Sequence, residues 1–141
     1  MPDAHEFELR VHPAEKNILF RRTLIGLLIC ACLALAALFI YLQMLPEITV
    51  INRSDQLINE VEVALPSSRV VFDAIAPGEQ STIFYSPRQG DGVYRYIIRY
   101  EGDSEQVGQC GYVTGAEFGK RLVIIVGTVT PVECQESQRL L

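Results

Sequence analysis

Side chains able to do covalent or metal chemistry are few in this chain, and their positions narrow the options. Both histidines, His5 and His12, stand among the first 22 residues, and none follows. A domain without imidazole has no Ser-His-Asp or Cys-His catalysis and no His-based zinc or copper site. His5 and His12 are seven apart, but Pro13 and the lack of further ligands argue against a metal site there. The four cysteines form two pairs. Cys30 and Cys32 are two apart in an apolar run, so they face different sides of a helix and act as small apolar residues. Cys110 and Cys134, 24 apart, are expected to form a disulfide. Closing a loop of that length is worth about 3 kcal/mol in the chain-entropy model. Neither pair has the C-x-x-C spacing of a redox enzyme.

The remaining candidates are carboxylates and binding residues. Glu60 and Glu62 share one strand face opposite the apolar side, where solvation is the ordinary state. A hydrolase built on a carboxylate pair is therefore a minor alternative. Asp91, Asp103 and Glu105 sit near turns without the regular alternation of a calcium loop. Glycines at 90 and 92, and at 108 and 111, read as turn residues, and no phosphate-binding loop is present. No cofactor and no small-molecule substrate is expected. Arg95 and Arg99, about 13 Å apart along one strand, are candidates for contact with acidic partner residues or lipid headgroups. Tyr112, flanked by Gly111 and beside Cys110, is a third binding candidate. Asn52-Arg53-Ser54 has the form of a glycosylation sequon.

These residues are positioned by two very different elements. Thr23 to Met44 is uncharged over 22 residues. As a helix it would reach about 33 Å, enough for a hydrocarbon core of about 30 Å. A cleaved signal peptide would leave Leu38 to Leu42 on the mature chain, and a lipoprotein cysteine would be followed by apolar residues, so an uncleaved anchor fits best. Lys16, Arg21 and Arg22 flank its start, whereas the first basic residue beyond it is Arg53. That asymmetry predicts a cytoplasmic N-terminus and a translocated domain, periplasmic if the host membrane is a cell inner membrane. It also suits the Cys110–Cys134 bridge. Gly26, Cys30 and Ala34 recur every four residues and form a candidate packing face for a second helix.

The organisation expected is a tail at 1–22, a transmembrane helix at 23–44, a β domain at 45–134 and a flexible tail at 135–141. From Leu45 onward eight basic residues face thirteen acidic ones, and no basic cluster suits nucleic acid. Pro46 stops the helix and leaves almost no linker, so the domain is expected at the membrane surface. Alternation then marks strands near 48–51, 61–65, 69–75, 81–85, 93–100 and 105–114. In 93–100 it puts Tyr94, Tyr96, Ile98 and Tyr100 on the core face, with Arg95 and Arg99 outward. Arg121 to Val126 is continuously apolar after its first residue, a central strand buried on both faces or a sandwich-core strand, and residues 129–134 close the domain.

Seven or eight short strands with regular turns predict an all-β sandwich. In size and rhythm it resembles an immunoglobulin or fibronectin type III sandwich. It departs from a true immunoglobulin domain in having no tryptophan and only two late soluble cysteines. Its expected role is protein–protein contact at the outer membrane face, with a membrane-protein partner or a second copy of itself, as an accessory subunit. An inhibitor or immunity protein guarding that face has the same architecture and is the alternative.

Overall fold

A computed structural model describes residues 13–128 and 132–139, with side chains from Asn17. The tail histidines and residues 129–131 of the expected closing strand lie outside the described residues. The chain forms two compact units, divided between Ile40 and Tyr41.

The first element is one helix, α1, Pro13–Gln43. It begins ten residues before the expected membrane segment, with Pro13 where a fixed φ suits the first helical turn. The boundary at 22/23 is therefore a change of polarity inside a helix and not a change of structure. Within α1, Asn17–Gln43 is long and apolar enough to cross a membrane, with a mean hydropathy of 2.8 over its most apolar window and none of that window buried. Gly26, Cys30 and Ala34 all lie in this exposed stretch.

The second unit is two four-stranded sheets. The strands are β1 (Glu47–Arg53), β2 (Ile58–Ala64), β3 (Arg69–Phe72), β4 (Gln80–Phe84), β5 (Gly92–Tyr100), β6 (Glu105–Val113), β7 (Lys120–Gly127) and β8 (Glu133–Gln138). One sheet has the order β4-β1-β7-β8 and the other β3-β2-β5-β6. All neighbours are antiparallel except β1 and β7, which run parallel with Ile48 beside Leu122 and Val50 beside Ile124.

Alternation sends one face of each sheet into a shared core. Ile48, Val50, Leu122 and Ile124 come from the first sheet; Val61, Val63, Phe72, Tyr94 and Ile98 come from the second. Each fully buried Val, Ile, Leu or Phe side chain contributes about 1.5–3 kcal/mol of transfer free energy. β7 is central, as its sequence implies, yet its two faces differ. Leu122, Ile124 and Val126 are buried inward, whereas on the outer side Ile125 is buried and Val123 only half-buried.

Two expectations are corrected. Residues 135–138 are no tail: they pair with β7, from Gln135 beside Val123 to Gln138 beside Lys120. The backbone ladder and the cysteine at 134 hold this polar edge strand, so it needs no apolar face. The glycines at 108 and 111 lie within β6 and not in a turn. The sandwich also has its own strand order. A constant-type immunoglobulin domain numbered in sequence would group strands 1-2-5-4 against 3-6-7. Here β2 joins β3, β5 and β6, and β1 joins β4 and β7.

Candidate functional site

The densest polar constellation is buried in the second unit, and it centres on a residue the sequence did not single out. Glu117 lies in the loop between β6 and β7 and is 1% exposed. Its Oε2 accepts from the Tyr94 hydroxyl at 2.6 Å and lies 3.2 Å from the Tyr85 hydroxyl. Each phenol has one proton, so Tyr94, having donated to Glu117, accepts from Tyr85 at 2.8 Å. Glu117 Oε1 accepts from the Thr114 backbone N–H at 2.6 Å and from the Thr114 hydroxyl at 2.8 Å. The Lys120 ammonium stands 3.1 Å from Oε2, with Glu136 at 3.7 Å and the Tyr94 ring centroid at 5.3 Å. Lys120 also donates to the Tyr112 carbonyl oxygen.

The local chain explains why these groups meet. Tyr94 faces inward by strand alternation, and Tyr85 follows the end of β4, with its N–H donating to Pro46 O at 3.1 Å. Gly119, at φ 70°, turns the loop so that its N–H reaches Met44 O at 2.7 Å. The Glu117 N–H is held by Pro87 O at 2.9 Å. Burial alone would raise the Glu117 pKa, but hydrogen bonds from Tyr94, Thr114 and Lys120 outweigh it and hold the carboxyl below its ordinary value. Burial first, then the neighbouring Glu117, pushes the Tyr94 phenol far up. Burial and the Glu117 charge likewise push Tyr85 up, against the opposing effect of its hydrogen bond with Tyr94. The result is an ionised carboxylate with every lone-pair direction occupied, beside a pocket of about 350 Å³ lined also by Phe118 and Ser137.

The arginine candidates separate. Both sit on the outer face of the β3-β2-β5-β6 sheet, four residues apart on β5. Arg99 pairs with Glu60, lies 3.4 Å from Glu105 and 3.9 Å from Glu62. Arg69 takes the other oxygen of Glu62 at 3.2 Å. Glu60 and Glu62 are thus engaged by guanidinium groups. Arg95 is exposed and makes no ion pair among the described residues. Tyr112 is 54% exposed, with its backbone N–H donating to Glu136 at 2.9 Å.

Cys110 of β6 and Cys134 of β8 are disulfide-bonded, with Cα atoms 6.0 Å apart. The bond joins edge strands of the two sheets. Asn52 is fully buried, and its amide nitrogen donates to Gln56 O and Ile75 O at 2.8 and 2.9 Å. In the folded protein that sequon nitrogen is therefore committed to the chain itself. No group of three metal-ligating side chains occurs among the described residues.

No protein-family model matches the chain, and no curated protein matches its sequence. Among solved structures it is similar to the NMR structure of a protein from Eubacterium rectale. The two share 11% identity at a TM-score of 0.46, over 69% of this chain and 92% of that one. A likeness at that score carries neither fold type nor function.

Proposed function

We propose that this is a single-pass membrane protein whose β domain acts by contact with another membrane protein, as a non-catalytic accessory subunit at the extracytoplasmic face. The observation that carries this reading is the apolar stretch of α1: 27 residues with no side chain of its most apolar window buried. Such a surface needs lipid or another helix around it. Arg21 and Arg22 at its start, and no basic residue in its last turn, favour a cytoplasmic N-terminus and a periplasmic domain on a cell inner membrane. The stripe Gly26, Cys30, Ala34 offers a face for close helix packing. The closed hydrogen bonding of Glu117, and the pairing of Glu60 and Glu62 with arginines, support contact over catalysis.

The full chain, solubilised in mild detergent, should co-purify with a larger membrane protein. Photocrosslinkers at positions flanking Gly26 and Ala34 should capture that same protein. Recovery of a free monomer in every detergent, with no crosslinked species, would rule the proposal out.

A further inference from the structure

Four loop contacts knit one end of the sandwich around the point where the chain comes in. Gly119 N–H donates to Met44 O, and Tyr85 N–H to Pro46 O. Glu117 N–H donates to Pro87 O, and Gly90 N–H to the Ser67 hydroxyl at 2.9 Å. This root therefore comprises the loops at 65–68, 85–91 and 114–119 together with the strand ends beside them. Charge is divided unequally between the root and the far end. The root holds six of the domain's eight basic residues: Arg69, Arg88, Arg95, Lys120, Arg121 and Arg139. Against them stand four of its thirteen acidic residues, Glu47, Asp91, Glu117 and Glu136. The far end, with the turns at 54–57, 73–79 and 101–104, carries eight acidic residues against Arg53 and Arg99, and the thirteenth acid, Glu62, lies on β2 between the two ends.

Three of the root's acids are already matched. Glu117 and Glu136 hold Lys120, and Glu47 lies 2.7 Å from Arg121 and 3.7 Å from Arg139. Arg69 is matched to Glu62. Arg88 and Arg95 are exposed and unmatched among the described residues, opposed only by Asp91. Arg95 opens onto a groove of about 420 Å³ shared with Pro66 and Asp91. At the same end Phe84, Tyr112 and Phe118 are 55%, 54% and 37% exposed. Unmatched guanidinium groups at the same end as exposed aromatic rings suit a layer of phosphate headgroups over acyl chains. A domain acidic at its other end is turned root-first by an anionic surface.

We infer that the root of the sandwich is a docking surface for anionic phospholipid headgroups, with Arg88 and Arg95 as its uncommitted cations. This rests on the reading of α1 as a membrane anchor. It goes beyond that reading, because an anchor alone requires no headgroup contact.

The test uses the full chain reconstituted in vesicles of phosphatidylcholine alone or with about 30% phosphatidylglycerol, read by amide hydrogen exchange. Backbone amides at 65–69, 86–95 and 112–119 should exchange about fivefold more slowly in the anionic vesicles, and about 0.5 M salt should abolish the difference. Amides at 101–104 should not respond. The double variant Arg88→Gln/Arg95→Gln, with an unchanged melting curve in detergent, should lose the difference. Equal exchange in both lipids, or a difference that survives in the double variant, overturns the inference, while carbonate-resistant membrane association shows the anchor reading intact. Release by carbonate overturns the anchor reading itself, and this inference with it. Protection that appears in neutral vesicles only after adding membrane extract assigns the root to a protein partner and overturns the lipid assignment.

Discussion

The Tyr94 hydroxyl donates to Glu117 Oε2 across 2.6 Å, tying β5 to the loop between β6 and β7. Both residues are fully or almost fully buried, so the bond has no water to replace it. Glu117→Gln keeps the shape but removes the charge that Lys120 faces and turns an amide donor toward other donors. The expected cost is about 2–4 kcal/mol in urea unfolding of the full chain in detergent. Tyr94→Phe should cost less, about 1–3 kcal/mol, since Tyr85 remains near the carboxylate. Two variants as stable as the parent would show that the network contributes nothing net.

The same network makes stability fall at both ends of the pH scale. Glu117 is held below its ordinary value of 4.5, so its contribution is complete above that pH and lost as the pH falls through the lowered folded value. Tyr85 and Tyr94 are raised above 10.0, so their contribution is complete below that pH and lost as the pH climbs past it. Urea midpoints measured against pH should show both limbs in the parent. Glu117→Gln should flatten the acid limb selectively, and Tyr94→Phe should shrink the alkaline one. An acid limb unchanged in Glu117→Gln would assign acid sensitivity to other carboxylates.

How far the sequence carried the fold depends on what each element uses to hold itself. β1, β2, β5 and β7 bury alternate apolar side chains, and that period is visible in the residue types. β8 reads Glu-Cys-Gln-Glu-Ser-Gln and relies on backbone pairing and one disulfide, neither of which leaves a hydropathic period. Glu117 was illegible for a related reason. Its acceptors' partners lie 23 and 32 residues earlier, at Tyr94 and Tyr85, and only the sandwich closes that distance. The usable signal was indirect: two tyrosines on core-facing positions must each find a polar partner. Arg95 and Arg99 look equivalent in sequence, and only the register of β2 and β6 shows that Arg99 faces Glu60 and Glu105.

The Cys110–Cys134 bond joins edge strands that no shared sheet holds together. Replacing both cysteines by serine should lower stability by about 3 kcal/mol, from the loop of 24 residues alone. Reductant should shift the parent's melting curve to that of the variant and leave the variant unmoved. A parent insensitive to reductant, with free thiols demonstrated by labelling, would show that the bond carries no stability.

Gly108 offers a test of the core that involves no charge. It pairs with Tyr96 across β5 and β6, and the Tyr96 ring lies over it. A methyl group at Gly108 would overlap the outer end of that ring and sit 3.0 Å from its Cε1. Tyr96 is 7% exposed and cannot swing aside without leaving the core. Gly108→Ala should therefore cost about 1–3 kcal/mol by overpacking. Gly115→Ala, whose added carbon meets nothing nearer than Gln89 O at 3.8 Å, should stay within about 0.5 kcal/mol of the parent. Shortening the ring as Tyr96→Leu in the Gly108→Ala background should recover part of the loss, giving a coupling of about 1 kcal/mol in the double-mutant cycle. Zero coupling would mean that the cost at Gly108 comes from the backbone of β6 and not from Tyr96.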